Sequence, residues 1–287
     1  TLVDTIVPGR IRDPKEAAAV AERLGYEDPF LAVREPFQMW GIQGDESLAE
    51  KLPFVKAGLP GVFVTPDVTP YKKRKVRILN GAHTAFVPGS WVAGFDIVRD
   101  CMHDETIRGF MNTMLYDEVI PTLAADLDVE DCKAFAAAVE NRFDNPFIDH
   151  ALLSICLNST AKWRARDLPT LKDYVAETGN LPKCLATSLA TLIAFYTQEL
   201  VAREGDGLHL RRADGTEYTA QDDAFVLDFY AAHAGADDAE LVHDVLTNEQ
   251  MWGEDLTQIA GLEEFVVNAL TVVRVEGTKQ AFANAQA

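Results

Sequence analysis

Residues 75–86 read Lys75-Val-Arg-Ile-Leu-Asn80-Gly-Ala-His83-Thr-Ala-Phe86, a mostly apolar or small run carrying a lysine, an asparagine and a histidine among its polar side chains. At about 100° per residue, Lys75 and His83 are separated by about 80° on a helix, and Asn80 lies roughly 60° beyond His83, so the three share an arc of about 140°. Lys75 stands about 12 Å from His83 along the axis, so convergence needs a long lysine side chain or a bend, for which Gly81 is available. Thr69-Pro70 upstream is a cap followed by proline, which predicts a helix running through the stretch to about Pro88. From here onward the pattern stays helical, and this decides the fold class as mainly α.

The segment before it is mixed. Asp13-Pro14-Lys15-Glu16 predicts a short helix to about Leu24 before Gly25. Phe30–Arg34, Phe37–Ile42 and Gly61–Thr65 are short apolar or aromatic runs of strand type. Downstream, helices are predicted near 91–101, 104–120, 130–142 and 148–158. Pro182 starts the clearest one, where Leu185, Leu189, Leu192, Ile193, Tyr196 and Leu200 make an apolar stripe. Residues 204–218 read as a loop or hairpin, and 219–233, 237–246 and 262–274 as closing helices. The organisation expected is a small mixed α/β segment over 1–68 and a helical domain over 69–287.

The chain has 287 residues, 48% of them hydrophobic, enough for a sizeable core. Lys and Arg total 26 against 45 Asp and Glu, a formal charge of −19, which repels nucleic acid and anionic membranes. No apolar run approaches the roughly 20 residues a membrane span needs, and no signal-peptide pattern opens the chain. A cytoplasmic protein follows, with neither nucleic acid nor membrane as partner. Because the chain begins TLVDTIV without a methionine, it reads as part of something longer. Cys101, Cys132, Cys156 and Cys184 are far apart, so no zinc site or disulfide framework is signalled. Neither G-x-G-x-x-G after a strand nor G-x-x-x-x-G-K-[ST] occurs, so a nucleotide would need another domain.

A lysine desolvated in a pocket is a general acid or base near neutral pH, and an asparagine amide with an imidazole N–H stabilises a developing oxyanion. Together they suit alcohol oxidation or ketone reduction without a metal. Spacing alone leaves the alternative of a surface lysine and a satisfied core histidine. Lys72, Lys73, Arg74, Lys75 and Arg77 form a basic cluster; in so acidic a chain a pocket for an anionic ligand is the better reading than a nucleic-acid patch.

With these residues in view, Lys75-x4-Asn80-x2-His83 resembles the K-x4-N-x2-H signature of the polyol-specific long-chain dehydrogenases, the mannitol dehydrogenase family. Thr1–Pro8 (TLVDTIVP) resembles that family's S/T-M-V-D-R-I-x-P segment, Glu35–Trp40 (EPFQMW) its E-P-F-x-x-W segment, and Asn145–Ile148 (NPFI) its N-P-x-I/L segment. These landmarks cover roughly residues 1–170 in the family's order; the last hundred residues add little. Residues 77–85, 116–122 and 154–166 resemble most the branch that interconverts tagaturonate and altronate. The resemblance implies a multi-helical C-terminal domain of the 6-phosphogluconate dehydrogenase type, with the Rossmann domain absent from this chain.

It also implies roles. Lys75 would be the general acid/base, Asn80 and His83 would bind and polarise the reacting oxygen, and Asp4 would lie near the nicotinamide and the lysine. Lys162 falls on a substrate-contacting lysine of the family, and Arg164 and Arg166 beside it suit a uronate carboxylate. Ser154 replaces an arginine of the mannitol enzymes, which argues against mannitol; Lys72 replaces a glutamate on their proton path, and Thr5 replaces the usual arginine. The expected function is NAD-dependent, metal-independent reduction of a keto-hexuronate, with NAD held mainly by the protein's own N-terminal Rossmann domain and a small sugar acid as the other partner. Fructuronate reduction or mannitol-type polyol oxidation is the alternative within this class. Outside it stand a non-catalytic helical interaction module and a lyase forming a Schiff base on Lys75.

Overall fold

A computed structural model of the chain describes residues 1–7, 9–11 and 13–287. Pro8, which closes the first landmark, lies outside the described residues. The chain divides into two compact units: Thr1–Lys75 with Pro146–His150, and Val76–Asn145 with Ala151–Ala287.

The first unit is mixed. Strands β1 (Leu2–Asp4), β4 (Met39–Gln43) and β5 (Val62–Thr65) form one sheet in the order β1-β4-β5, antiparallel then parallel. Strands β2 (Gly9–Arg10) and β3 (Ala32–Val33) pair separately. Helix α1 (Pro14–Leu24) starts where the capping pattern places it, with Asp13 accepting from the Lys15 amide, and ends at Gly25 in the left-handed conformation (φ 79°). Short helices α2 (Glu46–Lys51) and α3 (Pro53–Lys56) follow, then α4 (Thr69–Arg74). Thr69 is already the first helical residue of α4; Asp67 rather than Thr69 supplies the oxygen, accepting from the Thr69 amide at 2.8 Å.

The second unit is helical. Lys75–Asn80 is a π-helical turn, and helix α5 (Gly81–Val92) continues from it. The expected end at Pro88 is wrong: Pro88 sits inside α5, where burial of the helix all round outweighs one missing amide. The helix stops instead at Gly94 (φ 98°), and the Gly94 and Phe95 amides return to the Trp91 and Ser90 carbonyls. The continuous helix expected over 91–101 is therefore interrupted, and α6 (Val98–His103) begins after a one-residue β-bridge between Ile97 and Ala151. Next come α7 (Glu105–Thr113), a second π-helical turn at Met114–Val119, α8 (Val129–Phe143), α9 (Leu152–Ile155), α10 (Ser159–Arg166), α11 (Leu168–Thr178) and α12 (Lys183–Tyr196). Residues 148–158 thus hold one short turn of helix instead of a long one.

The chain then forms an antiparallel sheet of β6 (Glu199–Glu204), β7 (Gly207–Arg211) and β8 (Glu217–Ala220). Leu200 belongs to β6, not to the stripe of α12, because the helix closes at Thr197. Helices α13 (Ala224–Ala232), α14 (Asp238–Leu246), α15 (Glu249–Trp252), α16 (Leu262–Val275) and α17 (Thr278–Ala285) complete the unit.

Helix α12 is the axis of this unit, buried from Cys184 to Tyr196 and packed on α5, α16 and α17. Gly89 permits the α5–α12 approach: a Cβ there would lie 2.6 Å from Phe282 and 2.9 Å from Thr191. The first amides of α12 have no local cap. They are satisfied from the second π turn, where buried Glu118 accepts from the Cys184 amide (2.7 Å) and the Leu185 amide (2.9 Å). Burial pushes the Glu118 carboxyl up to about 7 despite those two donors.

Candidate active site

In the first unit, β1 and Lys75, the last residue of the unit's first segment, come together. Lys75 Nζ donates to the Val3 carbonyl at 2.7 Å and lies 3.9 Å from the carboxylate of Asp4, whose side chain is buried. Asp4 ends β1 paired to Met39 of β4, so the sheet fixes the carboxylate that faces the lysine. The Lys75 side chain remains 20% exposed. Thr5, next to Asp4, donates to the Phe37 carbonyl and so joins two of the sequence landmarks.

In the second unit, Asn80 ends the π turn and is half-buried. Its backbone carbonyl accepts from Thr84 Oγ1 (2.9 Å) and from the Arg166 guanidinium (3.4 Å), while its side-chain amide has no hydrogen-bond partner among the described residues. Arg166 also donates to Thr84 Oγ1 at 2.9 Å. His83, one turn on, is buried and stacked on Phe143 with ring centroids 4.0 Å apart. Gly81 between them admits a carboxylate: a Cβ there would stand 2.8 Å from Asp167 Oδ1. Burial drives the Asp167 carboxyl well above the carboxylate range, against the pull of Arg166 and Arg77.

Residues 162–166 lie in helix α10. Lys162 and Arg166 are four residues apart and share a face. Lys162 Nζ donates to the Ile155 carbonyl at 2.8 Å. Burial first, and Arg166 second, lower the pKa of Lys162; burial likewise lowers that of Arg166. Arg164, two residues from each, lies elsewhere. Its guanidinium covers the backbone of Gly253, where a Cβ would meet it at 2.3 Å, and it lines a separate cavity of about 350 Å³ with Lys172, Trp252 and Glu254. Its exposure follows from the helix period, since two residues turn a side chain about 200°. The structure therefore joins Arg166 to Asn80, sets Lys162 beside Arg166, pairs Lys75 with Asp4, and places Arg164 apart.

Two contributors were not singled out from the sequence. Thr84 was quoted within the motif without a role, yet it bridges Asn80 and Arg166. Asp167 had no signal beyond its place after three basic residues.

The chain matches the model of the mannitol dehydrogenase C-terminal domain over residues 67–274. Altronate oxidoreductases from Escherichia coli (strain K12) and Shigella flexneri are each 43% identical over 98% of this chain and 56% of their own length. The chain thus spans about half the length of the curated relatives it matches. Among solved structures, the ternary complex of Pseudomonas fluorescens mannitol 2-dehydrogenase with NAD and D-mannitol superposes with a TM-score of 0.78 at 22% identity, covering 99% of this chain and 53% of that one. A substrate-free D-sorbitol dehydrogenase gives 0.74 at 20% identity, over 98% and 53%. These two likenesses bear on the fold, which is the mainly helical C-terminal dehydrogenase domain expected from the sequence.

Proposed function

The chain belongs to the mannitol dehydrogenase family, and from that premise we propose that it is the substrate-binding and catalytic portion of an NAD-linked oxidoreductase that reduces tagaturonate to altronate. The observation that carries the substrate class is the grouping in the helical unit. Arg166 holds the Asn80 carbonyl, the Asn80 amide has no partner among the described residues, and Lys162 stands one turn from Arg166 on the same face of α10. An amide without a partner among the described residues, on a residue whose backbone is held by one of two neighbouring cations, suits a ligand with both a carbonyl and a carboxylate, as a keto-uronate has.

The donor set of this chain fits the reacting end of the cofactor and substrate. It has no phosphate cradle, so the nucleotide itself would be held by a further domain. The reduced cofactor, NADH, when bound would supply the hydride that passes to the substrate carbon, leaving NAD. Lys75 gives its proton to the carbonyl oxygen, which becomes the hydroxyl, and recovers a proton from solvent through its exposed face; in the oxidative direction the proton moves the other way. Asp4 holds the ammonium in place. The Asn80 amide and the His83 imidazole donate to the oxygen as charge develops on it. Lys162 and Arg166 hold the carboxylate.

The test is NADH oxidation by the full-length protein with tagaturonate, fructuronate and fructose. Tagaturonate is expected to give the highest kcat/KM, and Lys75→Ala to lower kcat by about 10²–10⁴-fold. A rate indifferent to Lys75→Ala would sink the mechanism, and turnover of fructose without either uronate would sink the substrate class.

A further inference from the structure

Helix α10 carries Lys162 and Arg166, yet it has no cap of its own. Its N-cap residue Asn158 is in the left-handed region (φ 54°), alone among described non-glycine residues, and its side chain makes no capping bond. The start of the helix is held from a distance instead. The Asn158 amide donates to the Gln221 carbonyl at 2.9 Å, and the Thr160 amide donates to Asp222 Oδ2 at 3.0 Å. Gln221 and Asp222 directly follow β8, whose last residue, Ala220, is paired to Leu208 of β7. A sheet thus delivers the clamp, and its position is fixed independently of α10. The same oxygen, Asp222 Oδ2, accepts from the hydroxyl of Tyr196 at the end of α12, and the Tyr196 ring is stacked on Tyr230 with centroids 4.7 Å apart.

We propose that Asp222 is a positioning residue for substrate binding, fixing the first turn of α10 and through it the orientation of Lys162 and Arg166 toward Asn80. The inference rests on the reading of Lys162 and Arg166 as the carboxylate-binding pair. Asp222 acts in two ways. Its hydrogen bonds set the axial position and rotation of an eight-residue helix, which is too short to hold itself. Its charge also opposes the desolvation of Lys162, whose other neighbours are the cationic Arg166, the buried Cys156 thiol and the Ile155 carbonyl. Removing that charge shifts Lys162 further toward its neutral form.

The experiment is kcat and KM for tagaturonate across pH, in the full-length protein, for wild type, Asp222→Asn, Asp222→Ala and Lys162→Met. Asp222→Ala is expected to raise KM about tenfold or more with kcat changed less than about threefold, the loss of two hydrogen bonds to one oxygen. An asparagine carbonyl at that oxygen serves Thr160 and Tyr196 and gives up only the local bond from the Asp223 amide. Asp222→Asn is therefore expected to keep the wild-type KM near neutral pH, with the alkaline rise of KM moved to lower pH. A purely structural Asp222 would leave that profile where it is, and this result overturns the proposal even if Asp222→Ala fails to fold. Wild-type behaviour of both Asp222 variants beside a raised KM in Lys162→Met overturns it alone. An unchanged KM in Lys162→Met overturns the substrate reading as well.

Discussion

Helix α12 buries every residue from Cys184 to Tyr196, whereas α1, α2, α3 and α4 of the N-terminal unit bury none. The same contrast holds for strands: all of β5 is half-buried, while β7 fully buries Leu208 and Leu210. Among the described residues, the N-terminal unit encloses just four large apolar side chains, Ile6, Met39, Ile42 and Ile148, beside the acids Asp4 and Glu35. The helical unit therefore carries a core that stabilises it, and the mixed unit places chemistry on a sheet with little apolar burial behind it. Each unit accordingly responds to a different kind of damage.

The sharpest way to break this comparison is to remove an aromatic side chain from each. Phe195→Ala, in the fully buried stretch of α12, is expected to cost about 3–5 kcal/mol in denaturant unfolding. Phe63→Ala in β5 should cost less than about half of that, since the ring is only part-buried. Equal losses would show that the N-terminal unit is as well packed as the helical one.

Glu118 tests how α12 is held. Glu118→Ala leaves the Cys184 and Leu185 amides without acceptors and is expected to cost about 2–4 kcal/mol. Its pH dependence has a definite sign. The folded carboxyl titrates near 7 and the unfolded one near 4.5, so between those values the folded state keeps a proton that the unfolded state has lost. Stability due to this group falls as pH rises through that window, by on the order of 2–3 kcal/mol. Glu118→Gln removes the titration, so the fall should be absent from its pH–stability curve.

Two glycines give smaller effects of different origin. Gly89→Ala forces a methyl against Phe282 and Thr191 and is expected to cost about 1–3 kcal/mol by thermal melting. Gly25→Ala, after α1, meets no atom within 4 Å and suffers only its left-handed backbone, about 1 kcal/mol. A larger cost at Gly25 than at Gly89 would reverse the ranking of the two units.

Where the sequence could be read, local chemistry was strong. Asp13-Pro14 and Gly25 bracket α1 because capping and a left-handed stop act within a few residues. The apolar stripe of α12 was equally plain up to Tyr196. Pro88 misled because a local rule met a buried helix, and Leu200 because a period was extended past the point where the chain turns. The two π turns left no pattern to find, since the bulge arises from packing and not from composition. The candidate site divides in the same way. Lys75, Asn80, His83 and Lys162 stood out by motif, while Arg164 and Arg166, alike in sequence, are parted by the period of helix α10. Glu118 and Asp222 cap helices whose starts lie 66 and 62 residues away, beyond the reach of any local signal.

By itself, the sequence determined that the chain is mainly helical, that a mixed segment precedes the helices, and that a lysine, an asparagine and a histidine are spaced for one arc of a helix. Periodicity, caps and motif spacing are properties of neighbours along the chain, and they survive without coordinates. Only the tertiary structure decided which cation holds the Asn80 carbonyl and which distant acids complete α10 and α12. Those choices depend on which backbone amides are left without partners once the helices pack, and burial makes each such vacancy costly enough to select a side chain from far away.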